Sequence, residues 1–347
     1  MPLRKQWILL PLLLGGSLLF TSRTFFEIYR EAAFQTTSHD DYASLLLKLD
    51  GHPTGAPIPA AFQYRLLSVI PALPLVHLPF LYRFPKLPAN VDPDWLRATQ
   101  ALCLLSWLMM TGASLLCALL ARRHFHASLP GSVATGLLSW ILWIFVSRSG
   151  VDPIALFTVA LLLLALPHWK AFAALVLLSA GVNEKIPLIF FTLLFGRQAT
   201  RRGREARFQL GASFLALLLH LAARLALDLP ALPQNTLDPA RFPDRLLATG
   251  QATLSPKGVV LNLLPILVLL ALYGLSLRSR RRAAQPIPFH TADLLPLPTL
   301  IFLAALFDVR FNLGRIAMYT LPLYLPAVAL LFASPPPRPG PPLSTSG

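Results

Sequence analysis

The chain has 347 residues, 55% of them hydrophobic and only 13% charged, with a mean hydropathy of +0.61. Soluble domains carry about a quarter charged residues, so an ordinary soluble enzyme is excluded. The formal charge of +15 is spread over basic residues that flank apolar runs, with no aromatic-interleaved basic domain, which points to membrane topology and anionic lipid rather than nucleic acid.

In chain order, Arg4-Lys5 precede an apolar core over residues 7–20 that continues through Phe25-Phe26. No small-x-small cleavage site follows, and many apolar runs come later. An uncleaved signal-anchor with a cytoplasmic N-terminus is expected. Residues 27–96 form a long polar stretch, the expected first outer loop. Further candidate spans cover 97–120, 131–146, 152–166, 171–181, 187–195, 209–227, 259–277, 294–307 and 316–332. Two of these, 171–181 and 187–195, fall well short of the ~20 residues that cross a bilayer. They flank Val182-Asn183-Glu184-Lys185-Ile186 and read as half-helices meeting at a polar break, which is tolerated at depth where it lines a cavity. Cys103 and Cys117 share one apolar run and read as buried membrane thiols, with no disulfide framework.

Residues 66–81 are apolar but contain Pro71, Pro74 and Pro79, which interrupt a helix. Charge decides their place. If this segment crosses once, three basic groups face outward: Arg122-Arg123, then Arg197, Arg201, Arg202, Arg204 and Arg207, then Arg278, Arg280, Arg281 and Arg282. If it stays at the surface as an interfacial or re-entrant segment, all three face the cytoplasm, as the positive-inside rule requires. All but two of the 15 acidic residues, Glu205 and Asp293, then fall on the outer side. The expected fold is an all-α polytopic transmembrane helical bundle of about 9–10 spans, some short or broken, in one integral membrane domain over 1–333. It sits in the cytoplasmic (inner) membrane, with a disordered, proline-rich cytoplasmic tail over 334–347.

Several polar constellations are candidates for chemistry. His39-Asp40-Asp41 opens the first outer loop; an ionised carboxylate there can take a proton from a hydroxyl or hold a divalent cation. The same residues after Ser38 also read simply as a capped helix start. Tyr64 and Arg65 sit where the loop re-enters apolar surface, suited to a headgroup and its phosphate or to plain interfacial anchoring. Arg148 lies in a short turn before Asp152-Pro153, and Asp152 reads as a first-turn helix carboxylate. Asn183, Glu184 and Lys185 place charge near membrane depth, which defaults to function unless the pair neutralises itself. Asp308 to Arg315 adds Arg310, Asn312 and Arg315 to the last turn. Together these suggest a basic girdle of Arg65, Arg148, Lys185, Arg310 and Arg315 facing a carboxylate loop.

That layout resembles the GT-C type of integral membrane glycosyltransferases. The run Phe62-Gln63-Tyr64-Arg65-Leu66-Leu67-Ser68 is similar to a re-entry segment of uncharacterised bacterial members. The resemblance implies a polyprenyl-phosphate-linked sugar as donor, a catalytic Asp at Asp40 or Asp41, and donor phosphate held by the basic girdle at the outer face. A transporter or flippase of a lipid-linked or anionic solute would use the same girdle without chemistry. A non-catalytic membrane subunit would need neither.

Overall fold

The computed structural model describes residues 39–52, 65–79, 92–142, 151–198, 203–228, 239–282, 291–306 and 310–332. Everything described is helix or short connection, with no strand, so the all-α expectation holds. Four helices are long and apolar enough to cross a membrane: Pro93–Phe125, Arg204–Ala223, Pro256–Arg278 and Leu313–Phe332. Shorter apolar helices fill the spaces between them. The expected signal-anchor and the tail after residue 332 lie outside the described residues.

Helix α1 (His39–Leu49) packs on the central strut α2 (Pro93–Phe125). The 33 residues of α2 run about 50 Å at 1.5 Å per residue. Asp92 caps its start by accepting from the Asp94 N–H at 3.0 Å, and Pro93 at the first helical position costs no intrahelical bond. Its last turn is basic (Arg122, Arg123, His124) and closes on His126 in the left-handed conformation, φ 50°.

Against α2 pack α3 (Leu129–Leu142) and α4 (Val151–Ala165). Small residues permit close approach, as in other membrane bundles. A Cβ on Gly112 would fall 2.7 Å from the Phe157 ring, and the Ser114 hydroxyl of α2 meets the Ser139 hydroxyl of α3. Next come α5 (Trp169–Ser179) and α6 (Lys185–Arg197), with α7 (Arg204–Asp228) lying across both. The exposed Phe214, Leu215, Leu218 and Leu221 of α7 form a face that lipid would cover.

Helix α8 (Phe242–Leu254) leads through Pro256–Gly258 and a π-helical turn, Val259–Leu263, into α9 (Leu264–Arg282). Helix α10 (Pro296–Leu306) packs on α6, and the chain closes with α11 (Leu313–Phe332), which alternates α and 3₁₀ turns. The π turn is held by Asn262, fully buried. Its Oδ1 accepts from the Gly314 N–H at 3.1 Å and its Nδ2 donates to Thr253 Oγ1 at 3.1 Å. Gly314 is obligatory there, since a Cβ would stand 2.1 Å from the Leu261 carbonyl oxygen.

Segment 66–76 is three short helical pieces, Leu66–Ser68, Ile70–Ala72 and Leu73–Val76, with Pro71 and Pro74 in the first turns of the second and third. The prolines divide the helix into pieces instead of kinking one long one. Both ends are tied to the same end of the bundle. The Leu67 N–H donates to the Gly181 carbonyl at 3.1 Å, and His77 Nε2 lies 3.2 Å from Asp50 at the end of α1. His52 in turn lies 3.5 Å from Asp94 at the start of α2. The segment therefore returns to the side it starts from.

Carboxylates, rather than basic residues, sort along the bundle. One end carries the described carboxylates Asp50, Asp92, Asp94, Asp152, Glu184 and Asp244, interspersed with Arg65, Arg97, Lys185, Arg241, Arg245, Lys257 and Arg315. The opposite end gathers Arg122, Arg123, Arg197, Arg204, Arg207 and Arg278, with Glu205 and Asp293.

Candidate functional site

At the carboxylate-rich end, side chains from six segments come together in one polar network. Its centre is the turn between α5 and α6. Ala180 to Glu184 cannot continue the helix because Gly181 and Val182 form tight turns back to Leu178 and Ser179. The 65–68 segment approaches closely there: a Cβ on Gly181 would meet the Leu67 side chain at 3.0 Å.

Arg65, at the start of that segment, reaches both oxygens of Glu184 through Nη2, at 3.0 and 2.9 Å. Its Nη1 donates to the Tyr42 hydroxyl of α1 at 2.9 Å. Lys185 Nζ donates to the same Glu184 carboxylate and to Asn183 Oδ1 at 3.4 Å. Asn183, fully buried, also accepts the Lys185 backbone N–H at 3.1 Å and donates to the Tyr319 hydroxyl at 3.5 Å. Tyr319 of α11 donates in turn to Asp152 of α4. Arg315, one turn earlier on α11, grips Asp152 through Nε at 2.5 Å and Nη2 at 3.2 Å.

From α7, His220 places Nε2 at 3.7 Å from Glu184. Its Nδ1 lies 2.8 Å from the Ala180 carbonyl. A carbonyl only accepts, so the ring proton of neutral His220 sits on Nδ1 and Nε2 faces the carboxylate.

Three cations (Arg65, Lys185, Arg315) thus share two carboxylates (Glu184, Asp152), leaving one formal positive charge in excess. Charges at membrane depth cost ~2.5–3.5 kcal/mol each on insertion scales, and pairing offsets that cost. The two carboxylates differ in access. Asp152 is 0% exposed, whereas Glu184 is 26% exposed and Arg315 is 36% exposed, so the network opens to the surface on the Glu184 and Arg315 sides.

Of the basic girdle expected from sequence, the structure brings Arg65, Lys185 and Arg315 together, with Asn183 and Glu184. Asn312 is exposed at the N-cap of the helix that carries Arg315 and stands outside the network. Tyr64 and Arg148, and the side chains of His39, Asp40, Asp41 and Arg310, lie outside the described residues. The backbone does place Asp40 and Asp41 in the first turn of α1, less than one turn before Tyr42. Among the described residues no group of three or more His, Cys, Asp or Glu side chains is arranged to hold a metal ion.

Four members were not singled out by sequence for this role: Tyr42, Asp152, His220 and Tyr319. An ionisable His220 inside an apolar run was a usable signal. Tyr42 and Tyr319 carried none. A second ionic feature lies at the far end of α6, where Arg197 donates to Asp293 through Nε and Nη2, both at 2.6 Å, in nearly complete burial.

No protein-family model, no curated protein and no solved structure matches this chain, so the site stands on its own geometry.

Proposed function

We propose that the protein is an integral membrane glycosyltransferase that moves a sugar from a polyprenyl-phosphate donor to an acceptor hydroxyl at the outer face of the inner membrane. The observation that carries this reading is the convergence of Arg65, Lys185 and Arg315 from three separate segments, with Tyr42 tying Arg65 to the helix that begins His39-Asp40-Asp41. In this reading the basic residues hold the donor phosphate at the bilayer surface while the prenyl tail lies along apolar helix faces. Asp40 or Asp41 takes the acceptor proton as the acceptor oxygen bonds to the sugar C1. The C1–O bond to phosphate breaks, and the leaving polyprenyl phosphate is stabilised by the same cations. This reading takes the carboxylate-rich end as the outer one and the end with few carboxylates as cytoplasmic. A divalent cation at the first-loop carboxylates belongs to the same reading.

The test is sugar transfer by the purified chain in proteoliposomes, using polyprenyl-phosphate sugars. Asp40→Asn or Asp41→Asn is expected to abolish transfer while binding of the lipid phosphate persists. Full transfer by both variants overturns the catalytic assignment. A flippase is the second reading, favoured by two ionic stations, Glu184–Lys185 and Arg197–Asp293, at opposite ends of α6. It predicts movement of the lipid phosphate between leaflets that survives both Asp substitutions.

A further inference from the structure

The geometry points to Glu184 as an internal stand-in for the donor phosphate, occupying the anion site until a lipid phosphate displaces it. This rests on the phosphate-site reading above and adds how that site is gated. A carboxylate and a sugar phosphodiester present the same face to a binding site: one negative charge on two free oxygens. The donors that a phosphodiester needs are the ones Glu184 now takes. Arg65 Nη2 contacts both of its oxygens and Lys185 Nζ contacts Oε1. The two come from different elements, and Arg65 reaches Glu184 across 119 residues of sequence.

Access distinguishes the two carboxylates of the network. Asp152 is closed off from solvent and held by both Arg315 and Tyr319, so it fixes the bundle. Glu184 sits on a turn, outside any helix interior, and is a quarter exposed. Its side chain can swing toward the surface without disturbing a helix, and its departure leaves Arg65 and Lys185 aimed at one point. The exchange also has a chemical use. The donor is a phosphodiester of one charge and the product a phosphomonoester approaching two, which the same cations hold more tightly; the returning carboxylate competes the product off.

The experiment measures binding of farnesyl phosphate to the full chain in nanodiscs by calorimetry, for the wild type, Glu184→Gln, Glu184→Asp and Arg65→Gln, with thermal unfolding of each as a folding check. Glu184→Gln is expected to tighten binding at least tenfold. Glu184→Asp keeps the charge but is too short to hold Arg65 and Lys185 together, and is expected to tighten binding several-fold. Arg65→Gln is expected to weaken it. If Glu184→Gln tightens binding while Glu184→Asp matches the wild type, only the local field has changed and the stand-in is refuted. If both Glu184 variants bind more weakly, Glu184 orients the cations and the proposal is equally refuted. Should Glu184→Gln fail to fold, the charge-conserving Asp variant decides alone. Absence of binding by the wild type and both Glu184 variants removes the phosphate-site reading itself, and this inference with it.

Discussion

The Arg197–Asp293 pair offers a quantitative test of the bundle that is independent of function. Arg197 is 8% exposed and Asp293 2%, and two hydrogen bonds of 2.6 Å join guanidinium and carboxylate in parallel. Removing one partner of such a pair leaves a buried charge uncompensated, at a cost of about 3–5 kcal/mol. Asp293→Leu should show that full loss. Asp293→Asn keeps one acceptor oxygen for Arg197, worth about 1 kcal/mol net, and should lose roughly 2–4 kcal/mol. The Tyr324 hydroxyl donates to the Asp293 backbone carbonyl at 2.9 Å, so neither substitution removes that bond. Replacing both partners, Arg197→Met with Asp293→Leu, removes the charges together and should return stability to within about 1 kcal/mol of the wild type. Reversible unfolding in mixed micelles by titration with dodecyl sulfate, followed by tryptophan fluorescence, supplies the four corners of the double-mutant cycle. A loss below about 1 kcal/mol for Asp293→Leu would show the pair to be solvated and the helix end open. A double variant as unstable as the single would show that shape, rather than charge, is what the site requires.

Other expectations are simpler to check. Gly314→Ala forces a Cβ to 2.1 Å from the Leu261 carbonyl and should lose at least the ~1–3 kcal/mol typical of overpacking. Gly211→Ala, with nothing within 4 Å of its Cβ in the exposed face of α7, should gain about 0.5–1 kcal/mol. Both are read from the same unfolding titration, and equal effects would contradict the packing around the π turn. Arg65→Lys keeps the charge but loses the planar fork that spans Glu184 and Tyr42, so farnesyl phosphate should bind about tenfold more weakly, ~1.4 kcal/mol. Unchanged affinity would place the phosphate elsewhere.

Much of this architecture was legible in the sequence because lipid makes helix boundaries nearly a matter of hydropathy. The runs expected at 97–120, 152–166 and 171–181 appear as Pro93–Phe125, Val151–Ala165 and Trp169–Ser179. The polar break over 182–186 followed from the short apolar lengths on either side of it. What stayed hidden was pairing at long range. Asp152 read adequately as a first-turn helix carboxylate, yet its partner Arg315 lies 163 residues away. Arg197 read only as one of a cytoplasmic basic group, but it is buried against Asp293, 96 residues on. Hydropathy reports which segments leave water. It does not report which of their few polar side chains meet, because that depends on helix rotation and order in the bundle. Nor did any pattern mark Tyr42 or Tyr319, since a tyrosine near a membrane surface is ordinary.

Those separations bear on how the chain is made. Arg65 emerges 119 residues before Glu184, and Asp152 emerges 163 before Arg315. At synthesis rates of about 5–20 residues per second, Arg65 waits on the order of 6–24 s and Asp152 on the order of 8–33 s. During that time neither can make its contact with Glu184 or Arg315. Segment 66–76 gains its Leu67 tie only once the carbonyl of Gly181 is in place. The network is therefore assembled late, closing only when the final helix inserts, and a truncated chain that lacks residues 313–332 should leave Asp152 without the Arg315 and Tyr319 contacts described above.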